Sequence, residues 1–215
     1  MKYAIFDMDG TLIDSMIYWK NLGKEYLELH EVTVDYKEIL EKIKPMTMTE
    51  SAEYFQKKFH VPGTKEQIAC EMNQMMEEHY KKDIPLKEGV ENYLKRLQEM
   101  GVKMCVASAT EKNLMQQCLE RLGIHHYFEF LISCEEVGNG KRKPDIYLEA
   151  AKRLYNQELP QLEEVVVYED ADYAIQTAVN AGFYTIAVYD ESNSDIWEQL
   201  KMRTQEYIEN WKYAI

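Results

Sequence analysis

Short apolar runs alternate with longer stretches of helical period along most of the chain. The first run, Tyr3-Ala4-Ile5-Phe6, stops at Asp7 and reaches Gly10 soon after, which predicts a buried strand passing into a loop. Similar runs lie at 102–107, 164–168 and 184–188, with a weaker one at 128–132. Between them the period changes to that of a helix. Val90, Tyr93, Leu94 and Leu97 recur on one face before Gly101. Leu114, Cys118 and Leu122 do so before Gly123, then Ile146, Ala150 and Leu154, then Ala174, Ala178 and Ala181 before Gly182. Nearly continuous apolar strands alternating with helices predict an α/β fold: a Rossmann-like parallel sheet with helices on both faces.

The stretch 15–87 breaks this alternation, because no run in it reads as a strand. Tyr18, Leu22, Tyr26 and Leu29 predict one helix; Ile39 and Ile43, stopped by Pro45, predict a second. Ala52, Phe55 and Phe59 precede Pro62-Gly63, and Ile68, Met72, Met75 and Met76 precede Asp83 and Pro85. The expected organisation is a core of residues 1–14 and 88–215 with a helical cap, residues 15–87, inserted after the first strand. Open α/β sheets bind ligands beyond the carboxyl ends of their strands, so an insertion there is expected to act as a lid.

Composition narrows the partners. The chain has 215 residues, 46% of them hydrophobic, enough for one ample core. Its net charge of -13 repels phosphate backbones and anionic membranes, so neither nucleic acid nor a membrane is expected as a partner. The densest basic run, Lys141-Arg142-Lys143, is long enough only for one small anion. Cys70, Cys105, Cys118 and Cys134 show no CxxC and no zinc spacing. The apolar stretch before Asp7 is too short for a signal-peptide core. A reducing cytosol is the expected setting.

The candidate chemistry sits where apolar runs end. Asp7 and Asp9 follow the first strand, Ser108 the second, and Glu169 and Asp170 the run at 164–168, while Lys141 and Lys143 lie in a loop. In a parallel sheet these ends share one edge. Clustered carboxylates bind a hard divalent cation through oxygen. A hydroxyl and an ammonium supply donors to phosphoryl oxygens. One carboxylate can attack phosphorus and a second can move a proton. Blander readings stand beside these. Asp9-Gly10 is a common turn pair, Ser108 could cap a helix at Glu111, and Glu169-Asp170 could be a solvated helix start. Asp14 and Asp145 read as structural carboxylates, Asp172 as a helix N-terminal charge, His125-His126 as a surface turn, and the methionines at 72, 75 and 76 as packing.

Four segments in order favour the chemical reading. Phe6-Asp7-Met8-Asp9-Gly10-Thr11-Leu12-Ile13-Asp14-Ser15 resembles the first motif of the haloacid dehalogenase-like phosphatase superfamily. Val106-Ala107-Ser108-Ala109-Thr110 resembles its second, Gly140-Lys141-Arg142-Lys143-Pro144-Asp145-Ile146-Tyr147 its third, and Val167-Tyr168-Glu169-Asp170-Ala171 its fourth. The helical insertion resembles the cap of the β-phosphoglucomutase-like branch. The resemblance implies an Mg2+-dependent phosphatase acting on a small phosphate ester. Asp7 is then nucleophile and metal ligand; Asp9 is general acid/base and a ligand through its backbone carbonyl. Ser108, Ala109, Gly10 and Lys141 hold the phosphate, and Asp170 and Glu169 complete the metal site. Lys141 fits the register of the family lysine; Lys143 is its competitor.

Two departures matter. Ala171 and Ala174 replace the Ser and Gly usual after the fourth motif, a change of packing. The stretch 43–51 has no Arg, and Met48 stands where sugar-phosphate mutases of this branch carry one to grip a second phosphate. Hydrolysis is therefore expected over a mutase cycle. A dehalogenase is disfavoured because it lacks the acid/base that Asp9 provides. A non-catalytic phosphate-binding module ranks lower, since every motif is present. Specificity is expected around Ser15, Tyr18, Trp19 and residues 47–51.

Overall fold

The computed structural model describes residues 2–43, 46 and 48–214, so Lys44, Pro45 and Thr47 lie outside the described residues. The chain divides into two compact units, Met1–Met16 with Ile84–Ile215, and Ile17–Asp83. Helices α1 (Met16–Leu29), α2 (Tyr36–Ile43), α3 (Met48–Phe59) and α4 (Lys65–Lys82) account for the regular structure of the second unit. Its core is drawn from the predicted apolar stripes: Leu22, Tyr26, Phe55, Ile68, Met72 and Met76 are buried, whereas Leu29, expected on the α1 stripe, is exposed and Leu27 is buried instead. Thr64 caps α4 in a reciprocal pair with Gln67, and Asp83 ends the helix.

His79 on α4 braces this unit. Its ring nitrogens contact Glu25 Oε2 at 2.9 Å and Asp83 Oδ2 at 2.8 Å. Burial alone would lower its pKa, but the two carboxylates outweigh burial and raise it above the ordinary 6.5. The charged ring is thus preferred in the folded state. The stabilisation is complete below the ordinary value and is lost as pH rises through the raised folded value. His79→Gln should therefore lower the melting temperature at about pH 6 by the equivalent of about 1 kcal/mol, and by less at about pH 9. Equal losses in thermal melts at the two values would remove charge from the account.

The first unit is built on one sheet of six parallel strands, β1 (Tyr3–Phe6), β2 (Lys103–Ser108), β3 (Phe130–Ser133), β4 (Val165–Glu169), β5 (Tyr184–Val188) and β6 (Glu206–Ile208). Their order is β3-β2-β1-β4-β5-β6, the doubly wound, Rossmann-like arrangement. The connecting helices are α5 (Val90–Glu99), α6 (Lys112–Arg121), α7 (Cys134–Val137), α8 (Asp145–Leu154), α9 (Asp172–Ala181) and α10 (Trp197–Arg203). The sixth strand was not expected from the sequence. Its three residues include two exposed side chains, so it carries no apolar run. In α6 the buried stripe is Met115, Cys118 and Leu119, one residue displaced from the expected Leu114-Cys118-Leu122 stripe.

Both faces of the central strands are apolar, as a covered parallel sheet requires. Ile5, Cys105, Val165 and Val167 pack with Ile146, Tyr147, Ala150 and Leu154 of α8. The alternate positions face the other way, into an aromatic cluster. Phe6 stacks on Tyr168 with centroids 4.3 Å apart, and Trp211 packs against Tyr93 at 4.9 Å. The Tyr93 and Tyr168 hydroxyls share a hydrogen bond of 2.8 Å, which satisfies two polar atoms inside that cluster. Trp211 Nε1 also donates to the Thr11 carbonyl at 3.0 Å, tying the last residues of the chain to the loop after β1.

Candidate active site

Register brings the strand ends together. Phe6 lies opposite Val106 on one side and Tyr168 on the other, so Asp7 emerges between the ends of β2 and β4. The Asp7 amide donates to the Tyr168 carbonyl at 2.9 Å, which extends the ladder one residue and fixes its backbone. Gly10 turns the chain away at φ +79°, and a Cβ there would stand 2.4 Å from Asp170 Oδ2. Only glycine gives both that conformation and that approach.

Asp7, Glu169 and Asp170 form a buried trio whose carboxylate oxygens lie within 4.8 Å of one another. The Lys141 ammonium donates to Asp7 Oδ1 and to Glu169 Oε1. Lys141 is itself buried, at 5% exposure, so this ion cluster is shielded from water. Burial pushes the Asp7 carboxyl up to about 8; Lys141 opposes the rise, and Glu169 and Asp9 add to it. Asp170 is also pushed well above the carboxylate range, by burial and then by Asp7 and Glu169. Burial alone would lower Lys141, but Asp7 and Glu169 outweigh it and hold the ammonium above its ordinary range. Three carboxylates against one ammonium leave a net deficit of positive charge. A hard divalent cation with oxygen ligands fits that donor set.

Asp9 is half-buried and its carboxylate stands apart from the trio. Its Oδ2 accepts from Thr110 Oγ1 at 2.7 Å and from Ser108 Oγ at 3.4 Å. Ser108 is buried at the end of β2, and its Oγ accepts the Thr110 amide at 3.1 Å. It does not cap α6: Glu111 occupies that position without a side-chain bond. Ala109 is exposed in the loop that follows. Glu169 and Asp170 are 1% and 3% exposed, which excludes the solvated helix start. The basic run does not act as one patch. Lys141 turns inward, Lys143 is exposed and bonds Asn139 at 2.9 Å, and Arg142 lies 4.8 Å over the Tyr173 ring.

The carboxylates read as structural also separate from the trio. Asp14 pairs with Lys87 at 2.8 Å, and Asp172, the first residue of α9, pairs with Arg203. Of the expected specificity residues, Ser15 is buried and its hydroxyl has no partner among the described residues. Tyr18 donates to the Asp83 carbonyl and Trp19 to the Tyr80 hydroxyl, both inside the helical unit.

Among the residues that reach the site without an obvious sign in the sequence are Tyr147, Thr110 and Thr11. Tyr147 is fully buried, and its hydroxyl donates to Glu169 Oε1 at 2.8 Å. Read by period alone it is a core position of α8. Thr110 holds Asp9, as described above. Thr11 is buried and its hydroxyl donates to Asp170 Oδ1 at 3.4 Å.

A Thermotoga maritima protein named phosphorylated carbohydrates phosphatase is 30% identical over 202 residues, covering 86% of this chain and 84% of its own. Among solved structures, a haloacid dehalogenase hydrolase of family IA, variant 3, from Entamoeba histolytica superimposes with a TM-score of 0.78 at 21% identity, over 100% of this chain and 96% of that one. The β-phosphoglucomutase of Clostridium difficile superimposes at 0.71 with 23% identity, over 100% and 93%. At those identities the two structures establish the fold. The profile of the haloacid dehalogenase-like hydrolases matches residues 4–188, and the chain belongs to that family.

Proposed function

We propose that the chain is an Mg2+-dependent phosphatase that hydrolyses a small phosphorylated metabolite through an aspartyl phosphate on Asp7. The observation that carries the proposal is the buried trio Asp7, Glu169 and Asp170 with Lys141, set at the carboxyl edge of a parallel sheet. The name of the Thermotoga relative points to the same reaction class.

In this reading a carboxylate oxygen of Asp7 attacks phosphorus while the ester P–O bond breaks. Asp9 gives its proton to the leaving oxygen. Water then passes a proton to Asp9 and attacks phosphorus, the bond to Asp7 breaks, and phosphate leaves. Lys141, Ser108 and the backbone at Ala109 donate to the phosphoryl oxygens; the Gly10 amide, expected to join them, is spent on the Ile13 carbonyl at 3.1 Å. Asp7, Glu169, Asp170 and the Asp9 carbonyl would hold Mg2+, which supplies positive charge to the carboxylates and the transferring group. Ile17–Asp83 serves as the cap that selects the ester. A reducing cytosol suits the four free cysteines, and among the described residues no helix is long and apolar enough to cross a membrane.

Hydrolysis is favoured over a mutase cycle because Ile17–Asp83 contains no arginine to grip a second phosphate. The test is a panel of phosphorylated sugars and polyols with Mg2+, followed by phosphate release. Release from at least one ester, at kcat/KM on the order of 10⁴ M⁻¹s⁻¹ or higher, is expected. Conversion of glucose 1-phosphate to glucose 6-phosphate in an NMR spectrum would replace the phosphatase with the mutase. Silence across the panel, simple aryl phosphates included, would leave the non-catalytic module.

A further inference from the structure

Asp170 is held by a residue outside the segment that matches the family. We infer that Asn193 is a positioning residue that fixes the Asp170 carboxylate for metal binding, an inference that rests on the trio being the metal site. The Asn193 amide nitrogen donates to the Asp170 carbonyl at 3.0 Å and to its Oδ2 at 3.3 Å. The Asp170 carbonyl can only accept, so the NH2 end of the amide must face it. Thr11 donates to the other oxygen, Oδ1, at 3.4 Å. Gly10 packs against Oδ2 so closely that a Cβ would overlap it. The carboxylate is therefore gripped from both sides and from its own backbone.

The chemistry of the donor matters as much as its place. Asp170 is buried beside the carboxylates of Asp7 and Glu169, and a buried carboxylate needs hydrogen-bonding partners. A lysine in place of Asn193 would stabilise the anion but would also compete with a metal for it. An amide donates to the anion and adds no charge. It lowers the cost of the ionised form and leaves the carboxylate's charge available to a cation.

The turn that carries Asn193 is built for the purpose. Asp190 Oδ1 accepts from the Ser192 amide at 2.9 Å and from its hydroxyl at 2.7 Å, and the Asn193 amide returns to the Asp190 carbonyl at 3.0 Å. Asp190 Oδ2 accepts from Lys87 at 2.8 Å, and Lys87 also pairs with Asp14 at 2.8 Å. The turn is thus anchored to the loop that leaves β1. A turn of merely local purpose would spend the Asn193 side chain on its own backbone; this one sends it to Asp170. The family profile matches residues 4–188, so Asn193 lies beyond the matched segment.

The test is calorimetric titration of the full chain with Mg2+ alone, which reads binding without activity. Asn193→Leu, close in volume and lacking the donor, should raise the Kd about 10- to 100-fold. Its metal-free melting temperature should stay close to wild type, and kcat should return largely at saturating Mg2+. Asp190→Asn, which loosens the turn and leaves Asn193 in place, should weaken Mg2+ in the same direction by less, and it decides the matter if Asn193→Leu does not fold. Wild-type affinity within about twofold in the variants that fold overturns the inference. Asp170→Asn separates this failure from that of the site itself: if it too leaves Mg2+ binding unchanged, the trio is not the metal site and both readings fall.

Discussion

Asp7→Asn should abolish phosphate release, by on the order of 10⁴-fold or more, and should make the metal-free protein harder to melt at neutral pH. The two effects have one origin. The amide cannot attack phosphorus, because its oxygen carries no charge to donate. It also removes a carboxylate that the fold holds at an energetic disadvantage. The ordinary value of that carboxyl is 3.8, and in the folded protein burial pushes it up to about 8, with Glu169 and Asp9 adding and Lys141 opposing. Between those values the unfolded chain has lost a proton that the folded chain keeps. Stability therefore falls as pH rises through this window, and asparagine, with no proton to lose, escapes the fall. Wild type and variant should melt alike near about pH 4 and diverge in favour of the variant toward about pH 8 when metal is absent. A variant that retains several per cent of activity would remove Asp7 as nucleophile. A variant that melts below wild type at neutral pH would show that the Lys141 pair outweighs burial.

Much of this is legible in the sequence itself, and the limits have physical causes. β1 and β5 are short, apolar and punctuated, so their boundaries coincide with the runs that predict them. A parallel sheet then commits the residues after each strand to one edge, which is why Asp7, Ser108 and Glu169 could be associated from sequence. β6 escaped because Glu206 and Tyr207 are exposed and only Ile208 is buried. The helix at 112–121 was found, but its buried face was not: Leu114 is as apolar as Met115, and only packing separates them. Lys141 and Lys143 differ by burial, a property of the tertiary fold that the run Lys-Arg-Lys does not encode. Tyr147 and Asn193 stayed hidden for opposite reasons. Tyr147 keeps the period of an apolar helix face, so its hydroxyl bond to Glu169 has no signature. Asn193 sits in a polar turn of Asp, Glu, Ser and Asn, where one more amide is ordinary, and its partner lies 23 residues away. Secondary structure and strand ends are local facts; the support of a carboxylate is not.

Lys141→Met should be the most destabilising single change at the site, and Mg2+ should repair its stability without repairing its rate. Methionine keeps the length of the stem and removes the ammonium that Asp7 and Glu169 share. Breaking a buried ion pair at one partner leaves uncompensated charge, typically at a cost of about 3–5 kcal/mol. For a chain of this length that corresponds to a fall of roughly 6–20 °C in metal-free melting temperature. The trio can recover in two ways, by taking up protons or by binding a divalent cation more tightly. The second predicts that saturating Mg2+ raises the melting temperature of the variant by more than it raises that of wild type, because the metal then supplies charge that the lysine supplied before. The rate behaves differently. If the ammonium also donates to a phosphoryl oxygen as charge develops there, its loss should cost about 10²–10³-fold in kcat, and a cation held by the carboxylates has no N–H to take that donor's place. Thermal melts with and without Mg2+, paired with turnover at saturating Mg2+, separate the two roles. Recovery of both stability and rate would reduce Lys141 to a counter-charge, and recovery of neither would mean that the site holds no cation able to take its place.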